Sequence, residues 1–185
     1  MIDRNFVLNL ATKSSDINEY LMTLYNIPVQ INAQNIVEIG CGVSSFALMA
    51  AANKTGGRIT LIDIGGPDTL NRVDGGKDLM LAEPRFRMIE EDSRLVADES
   101  SVLDIDFLFW DSEHTLELSR QEIKGWFPKV RKGGVIACHD TMHESEDKQG
   151  ARIALDEYLK EHPGEYTRVD LLDTKIIGMT LLVKI

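Results

Sequence analysis

A glycine-rich segment, residues 38–44, follows the first apolar run of the sequence and resembles a loop that holds a nucleotide-like ligand. Gly40 and Gly42 would let the backbone turn tightly and approach a ligand without an intervening side chain. Ser44 follows them, where the next amphipathic segment begins. Glu38 adds a carboxylate, which suits a cationic ammonium group better than a phosphate. The loop therefore favours a nucleoside that carries an amino acid over a dinucleotide.

Acidic residues recur where the later apolar runs end. Asp63 ends the second run, 21 residues after Gly42, and this spacing brings a carboxylate to ribose hydroxyls in Rossmann-type sites. Asp92 and Ser93 follow the third run and could contact an adenine ring. Asp111 follows the fourth run. Such a series predicts a ligand site at the carboxyl ends of the strands.

His139 and Asp140 follow the fifth apolar run. Because neighbouring parallel strands end at one edge of a sheet, Asp111, His139 and Asp140 could converge in spite of the sequence gap. His114, three residues after Asp111, could serve as a general base. Packing near the adenine, or capping the helix that follows, is its simpler role, and the sequence leaves both open.

Two alternatives to a nucleoside-dependent enzyme of this kind remain. A dinucleotide fingerprint is G-x-G-x-x-G, but its third glycine position holds Ser45. Together with Glu38, Ser45 argues against an NAD(P)-dependent oxidoreductase, although the spacing from Gly42 to Asp63 suits either cofactor. The other alternative is a non-catalytic nucleoside-binding module that acts through a partner, since residues 1–34 leave little material for a substrate lid.

Short apolar runs alternate with amphipathic segments, which is typical of a parallel sheet covered by helices. The predicted strands are 35–39, 58–64, 86–89, 105–110, 135–139, 166–171 and 178–184. No clear helix separates the last two, which indicates an antiparallel pair. We therefore expect an α/β fold with a Rossmann-like, doubly wound, mostly parallel seven-stranded sheet. Its strand order would be 3-2-1-4-5-7-6, with an antiparallel last strand and helices on both faces.

Apolar spacing predicts the helices between these strands, at 16–26, 46–53, 116–130 and 150–162. Asp16 or Ser15 would cap the first helix, and the glycine pair 133–134 would end the third. Segment 69–82 is ambiguous, because residues 74–76 (Asp-Gly-Gly) break any helix that starts there.

Length and composition narrow the class of protein. At 185 residues we expect a single domain, with 1–34 as an N-terminal helical segment and 35–185 as the Rossmann-like core. The net charge of −10 argues against nucleic acid as a partner and favours a small molecule. No apolar run is long enough to cross a membrane, and the N-terminal residues do not resemble a signal peptide. Cys41 and Cys138 lie within or beside apolar runs, as packed, reduced thiols in a cytoplasmic protein would.

Three segments, taken in order, carry a family resemblance. They are FLFWDSEHT at 107–115, WFP at 126–128 and KGGVIACHDT at 132–141. They resemble the class I S-adenosylmethionine-dependent methyltransferases that have an "IDGDH" strand end and a "GGVIAFHDT" strand, a group related to the macrocin and catechol O-methyltransferases. The chain departs from this pattern in two places: Trp110 replaces an aliphatic residue, and Ser112-Glu113 replaces Gly-Asp.

The resemblance implies a cofactor and a set of roles. S-adenosylmethionine would be held by Glu38, Gly40, Gly42, Ser44, Asp63, Asp92, Ser93 and Asp111. A divalent cation such as Mg²⁺ would take oxygen ligands from Asp111 and Asp140, and His139 would be a third ligand or a base. The alternative is that His139 and Asp140 only form capping hydrogen bonds, without a metal. Two carboxylates and one imidazole do not distinguish Mg²⁺ from Mn²⁺ or Zn²⁺.

The implied reaction is methyl transfer to an oxygen, or to a nitrogen, of a small-molecule acceptor. Asp111, His114 and His139 are the candidate catalytic residues. The acceptor pocket would be shaped by the variable regions 1–34, 65–84 and 142–150, which carry no identifiable motif. A homodimer that completes each pocket would explain the short N-terminal segment, but no sequence feature requires one.

Overall fold

The computed structural model describes residues 2–13, 15–99, 102–142, 149–172 and 177–185. The chain divides into two compact units, Met1–Asp92 and Ser93–Ile185. Residues 143–148, which make up most of the variable region predicted at 142–150, lie outside the described residues.

One sheet contains seven strands. In chain order they are β1 (Asn35–Ile39), β2 (Arg58–Ile62), β3 (Phe86–Ile89), β4 (Ile105–Trp110), β5 (Val130–His139), β6 (Tyr166–Leu171) and β7 (Met179–Lys184). Their order is β3-β2-β1-β4-β5-β7-β6. The pairs β1–β2, β2–β3 and β4–β5 are parallel, whereas β7 is antiparallel to both β5 and β6. The predicted fold class, strand order and antiparallel last strand are confirmed, as are helices on both faces.

The helices occupy most of the connections between strands. The α-helices are α1 (Arg4–Ala11), α2 (Leu21–Gln30), α3 (Ser44–Thr55), α4 (Gly76–Leu81), α5 (Ser93–Glu99), α6 (Leu116–Trp126) and α7 (Gly150–Glu161). Short 3₁₀ helices cover Asn18–Tyr20, Gly66–Arg72 and Phe127–Lys129. Within the part of the chain that is described, no helix has the length and apolar character needed to cross a membrane.

The first unit is built around β1 and α3. Every residue of β1 is buried, as expected for an inner strand covered on both faces. The first nine residues of α3 are also buried, because small and apolar side chains predominate there. Helix α1 adds Phe6, whose ring lies 5.8 Å from that of Phe46 on α3. This packing fixes the connection from β1 to α3, which is the glycine-rich segment.

One helix prediction in the first unit is wrong at its start, and one helix was missed. The predicted helix 16–26 is wrong at its start: Asp16 accepts a hydrogen bond from the backbone N–H of Ile17, and α2 begins only at Leu21. Helix α1 was not predicted, although Asp3 caps it by accepting from the Phe6 N–H at 3.0 Å. The break expected at 74–76 is confirmed, because residues 73–75 separate the second 3₁₀ helix from α4, which begins at Gly76.

The second unit corrects the predicted helix 116–130. Helix α6 ends at Trp126, and Val130 already belongs to β5. Pro128 lacks the N–H that a continuing helix would donate, so the apolar spacing that reaches Val130 is not helical. The glycine pair 133–134 does not end a helix, since it lies within β5 where the pairing with β4 shifts register. Helix α5 was also not predicted.

Candidate functional site

The glycine-rich segment turns sharply after β1. Gly40 has a φ of 79°, in the left-handed region that favours glycine. Its N–H donates to the carbonyl of Ile62 at the end of β2, at 3.0 Å. The turn expected at Gly40 is therefore present, and it is anchored to the neighbouring strand.

Asp63 connects this loop with the loop that follows β2. Its Oδ2 accepts from the backbone N–H of Cys41 at 2.8 Å, and its Oδ1 accepts from that of Gly65 at 2.7 Å. A carboxylate offers about four acceptor positions, so these two bonds leave capacity for ligand hydroxyls. The spacing between Gly42 and Asp63 thus has a structural consequence that the sequence did not show: Asp63 holds two loops together.

Glu38 and the two serines that follow the glycines form the inner side of the loop. Glu38 is fully buried within β1, and its Oε1 accepts a hydrogen bond from the Ser44 hydroxyl at the start of α3. The Gly42 N–H donates to the Ser45 hydroxyl oxygen at 3.1 Å. Ser45, which occupies the third glycine position of a dinucleotide loop, therefore stabilises a different loop conformation.

Arg72, the last residue of the second 3₁₀ helix, lies over the glycine loop. A Cβ atom at position 42 would lie 3.3 Å from its Nη1, so the arginine side chain packs closely against Gly42 and would shift slightly beside a larger residue. Arg72 is exposed and forms no hydrogen bond or ion pair with the residues that the structure describes. It places a guanidinium group in the variable region 65–84, which carries no identifiable motif.

Cys41 is a packed thiol within the loop. Burial raises the pKa of Cys41 well above its usual value, and the nearby carboxylates of Glu38 and Asp63 raise it further. The thiol stays protonated at neutral pH and is a poor nucleophile. This agrees with the packed, reduced thiol that the sequence predicted.

In the second unit, Asp111, His139 and Asp140 come together as the sequence predicted. Strands β4 and β5 are parallel with Trp110 opposite Cys138, so the residues that follow each strand leave the sheet side by side. His139 Nδ1 lies 3.2 Å from Asp111 Oδ1 and 3.3 Å from Asp140 Oδ1. His139 is buried and the two acids are half-buried. We call these three residues the Asp-His-Asp cluster.

The backbone holds Asp140 in an uncommon conformation. Its φ is 55°, in the left-handed region that few residues other than glycine, asparagine and aspartate adopt. Two residues at the start of β7 and just before it hold this turn. The hydroxyls of Thr141 and Thr180, on β7, are 2.8 Å apart, and the Met142 N–H donates to the carbonyl of Ile177, before β7, at 2.8 Å. A strained residue held by buried hydrogen bonds is typical of functional sites.

His114 contacts both acids of the Asp-His-Asp cluster from outside it. Its Nε2 contacts Asp140 Oδ2 and lies 3.9 Å from Asp111 Oδ1. Burial lowers the pKa of His114, but the hydrogen bond to Asp140 and the charges of both acids outweigh this effect, so the pKa is raised. The role as a helix cap is wrong, since Thr115 holds the N-cap position and no side chain caps α6. A catalytic role for His114 stays a prediction.

The cluster has the donors and spacing of a divalent-cation site. One ligand atom from each of Asp111, His139 and Asp140 can be chosen so that all lie within 4.8 Å of one another. Nitrogen and oxygen ligands bind such ions at about 2.0–2.6 Å, so two ligands of one ion are at most about 5 Å apart. The residues fit the group that the family resemblance implied.

Glu122 is a buried acid that the sequence reasoning missed, and it contacts the residues on either side of Asp111. It lies on α6, is only 1% exposed, and accepts hydrogen bonds from Ser93, Trp110 and Ser112. The Trp110 Nε1–H donates at 2.7 Å. The signal was present, because Glu122 lies on the side of the helix that also carries the buried Ile123 and Trp126. We call Glu122 and its three donors the Glu122 cluster.

The remaining predicted residues lie where the first unit ends and the second begins. Asp92 is half-buried and directly precedes Ser93, the first residue of α5. The Asp92 N–H donates to the Glu91 carboxylate at 2.8 Å. Their predicted contact with an adenine ring stays a prediction.

Comparison with known families identifies the class of protein. The model of a family described as a methyltransferase domain matches residues 37–141, which is more than half of the chain. The chain belongs to this methyltransferase family. The prediction of an S-adenosylmethionine-dependent methyltransferase is therefore confirmed, and the alternative of an NAD(P)-dependent oxidoreductase is not supported.

Solved structures share the fold over almost the whole chain. An O-methyltransferase from Bacillus cereus in complex with SAH is 18% identical, with a TM-score of 0.67, and the match covers 97% of this chain and 87% of that one. The O-methyltransferase TomG from Streptomyces achromogenes, in complex with SAM, is 17% identical, with a TM-score of 0.68 and coverages of 99% and 86%. A Clostridium thermocellum protein proposed to be an rRNA methylase is 12% identical, with a TM-score of 0.68 and coverages of 94% and 100%. At these identities the likeness establishes the fold alone.

Proposed function

We propose that this protein transfers the methyl group of S-adenosylmethionine to an oxygen atom of a small-molecule acceptor. The observation that carries the proposal is the Asp-His-Asp cluster at the ends of β4 and β5, in a chain that belongs to the methyltransferase family. The solved relatives that are named as O-methyltransferases and were crystallised with SAM or SAH support the choice of donor and of acceptor atom.

The proposed donor site uses the residues predicted from the sequence. Glu38 and Asp63 supply carboxylates for the ammonium and ribose groups, and Gly40 and Gly42 supply backbone that a ligand can approach closely. Ser44, Asp92, Ser93 and Asp111 complete the proposed set. The family match runs across the boundary between the two units, which supports the expectation that residues 1–185 act as one methyltransferase domain.

A thermal-shift series tests the donor. S-adenosylhomocysteine at about 100 times its Kd should raise the Tm by roughly 5–10 °C, because it stabilises the folded protein by about 2.7 kcal/mol. NAD at the same concentration should leave the Tm unchanged. A shift with NAD and none with S-adenosylhomocysteine would reject the proposal.

We also propose that the Asp-His-Asp cluster holds a divalent cation such as Mg²⁺. Asp111 Oδ1 and Asp140 Oδ1 would be oxygen ligands, and the neutral His139 ring would supply Nδ1. When bound, such an ion lowers the pKa of an acceptor hydroxyl. His114 would orient Asp140 through its other carboxylate oxygen, in the way that outer hydrogen bonds hold metal ligands. The protein's main contribution would be to align the acceptor oxygen with the methyl group.

The hydrogen bonds within the cluster favour a second role for the same residues, in which no metal takes part. His139 already lies within 3.3 Å of both acids, and His114 contacts Asp140. A chelator distinguishes the two roles: methyl transfer that is lost in EDTA and returns with Mg²⁺ or Mn²⁺ requires the ion. Full activity in EDTA would reject the metal and leave His114 or His139 as the base.

A small acceptor is favoured by the net charge of −10, because RNA-binding proteins depend on a basic surface. One solved relative is proposed to be an rRNA methylase, so RNA is the competing acceptor class. Binding of total rRNA that weakens steeply with salt would reject a small acceptor. The homodimer and the cytoplasmic location stay predictions, and light scattering at several concentrations checks the former.

A further inference from the structure

The Glu122 cluster contains a buried carboxylate that accepts hydrogen bonds from three separate segments. Ser93 donates to Oε1, whereas Trp110 and Ser112 both donate to Oε2. These donors come from the start of α5, the end of β4 and the loop that follows β4. The Glu122 side chain on α6 therefore holds the residues on both sides of Asp111, which are Trp110 and Ser112.

Two of the three residues that depart from the family pattern around Asp111, Trp110 and Ser112, belong to this cluster. The pattern has an aliphatic residue at position 110 and glycine at position 112, and this chain has Trp110 and Ser112. Each adds a donor that the usual residue lacks, and both donors bind the same oxygen of Glu122. The two replacements are thus explained together, as a local network centred on the carboxylate.

The direction of these bonds determines what the serines can offer to a ligand. A serine hydroxyl has one proton and two acceptor positions. Ser93 uses its proton in the bond to Glu122 Oε1, so its oxygen can only accept from any further partner. The Trp110 indole N–H can only donate a hydrogen bond. The atom that it meets on residue 122, Oε2, must therefore be an acceptor.

We infer that Glu122 is a positioning residue that makes Ser93 a hydrogen-bond acceptor and thereby selects the 6-amino group of adenine against the 6-oxo group of hypoxanthine. The inference rests on the proposed function, in which Ser93 contacts the adenine of the methyl donor. An exocyclic amine donates to the Ser93 oxygen, whereas a 6-oxo group meets a second acceptor. A buried polar pair that cannot bond is costly, which makes the discrimination strong.

The isosteric variant Glu122→Gln reverses the polarity at Ser93. Trp110 and Ser112 both donate at the Oε2 position, so the amide oxygen takes that position and the NH₂ group takes the other. The NH₂ group then donates to Ser93, and the serine proton is released toward the ligand. The exposed Glu117 on the same helix gives the matched control, Glu117→Gln.

Isothermal titration calorimetry with S-adenosylhomocysteine and S-inosylhomocysteine provides the test. We expect the wild type and Glu117→Gln to prefer the adenine ligand, and Glu122→Gln to lower this preference by about tenfold or more, the equivalent of one hydrogen bond. An equal loss of affinity for both ligands would show a merely structural role and would overturn the inference. An unchanged preference would also overturn it.

Ser93→Ala keeps the test decisive if Glu122→Gln does not fold. Removal of the hydroxyl should lower the adenine preference, because the 6-amino group then loses its acceptor. Where Glu122→Gln does fold, adding it to Ser93→Ala should change the preference no further, since Glu122 acts through Ser93. An unaltered preference in Ser93→Ala would overturn the inference. Failure of the wild type to bind S-adenosylhomocysteine would instead overturn the proposed function, and this inference with it.

Discussion

The two units hold their functional acids in different ways. In the first unit, Glu38 and Asp63 are bound by neutral donors, a hydroxyl and two backbone N–H groups. In the second unit, Asp111 and Asp140 face the imidazole rings of His114 and His139. Neutral donors fix a loop in place at any pH near neutrality, whereas imidazoles exchange protons and can yield their positions to a cation. We therefore propose that Glu38 and Asp63 serve donor binding and that Asp140 serves the chemistry, while Asp111 belongs to both proposed sets.

The largest expected effect comes from Asp140→Asn. Asparagine adopts the left-handed backbone conformation nearly as readily as aspartate, so the fold should be retained. Loss of the charge should lower kcat on the order of 10²–10⁴-fold if the carboxylate takes part in proton or cation binding. Steady-state kinetics with radiolabelled S-adenosylmethionine measure kcat, and the Tm serves as the control for folding. An unaltered kcat would remove Asp140 from the chemistry.

Asp63→Asn should damage the first unit in a different way. The amide has one acceptor oxygen, so either the Cys41 N–H or the Gly65 N–H would face an NH₂ group. We expect the free energy of unfolding to fall by about 1–3 kcal/mol and the Kd for S-adenosylhomocysteine to rise about tenfold. Urea denaturation and calorimetry measure the two effects. A stability and a Kd equal to those of the wild type would contradict the bracing role of Asp63.

Thr180→Val tests the support of Asp140 from β7. The Thr180 hydroxyl lies 2.8 Å from that of Thr141 and donates to Asp170 at 2.7 Å, so valine leaves a buried hydroxyl without this partner. We expect a loss of about 1–2 kcal/mol of stability. If Thr180→Val has the same free energy of unfolding and the same kcat as the wild type, the turn at Asp140 does not depend on this bond.

The same variant has a pH dependence. Partial burial raises the pKa of Asp170, but the hydrogen bonds from Arg168 and Thr180 outweigh it, so the pKa is lowered. A lowered pKa stabilises the fold above the ordinary value near 3.8, and this contribution disappears as the pH falls through the folded-state pKa. The stability difference between wild type and Thr180→Val should therefore be larger at pH 7 than at pH 3. Denaturation at both pH values checks this, and a constant difference would exclude Asp170 from the network.

The smallest effect is expected from Gly42→Ala. The added Cβ would lie 3.3 Å from Arg72 Nη1, and this flexible side chain can move aside, so stability should change by less than about 0.5 kcal/mol. If the position of Arg72 matters for the donor, affinity for S-adenosylhomocysteine falls in Gly42→Ala and equally in Arg72→Ala. Unchanged affinity in both variants would show that Arg72 only covers the loop.

The difference between the two units also explains what the sequence could predict. The strands were found because they are apolar runs, and the ends of β4 and β5 placed Asp111 beside His139 once the parallel order was known. Local patterns failed where tertiary contacts decide: Val130 continued a helical spacing but belongs to β5. Glu122 was missed because an acid on a helix is normally exposed, and its three donors are distant in sequence.

The roles of individual donors were also beyond the sequence. Asp63 was expected to serve a ligand, and only the structure shows that it accepts two backbone N–H groups. His114 was a candidate base because it follows Asp111 by three residues, but nothing in the sequence relates it to Asp140, which it contacts in the structure. Spacing along the chain predicts which strand end a residue occupies, but not which atom it meets there.

Calorimetric titration of S-adenosylhomocysteine into the wild type, Asp63→Asn and Asp140→Asn, all in EDTA, tests the division of roles most directly. We expect the wild type and Asp140→Asn to bind S-adenosylhomocysteine with the same Kd, within about a factor of two or three. Asp63→Asn should bind it about tenfold more weakly. Absence of binding to the wild type would contradict this division of roles. Weaker binding by Asp140→Asn together with unchanged binding by Asp63→Asn would contradict it as well.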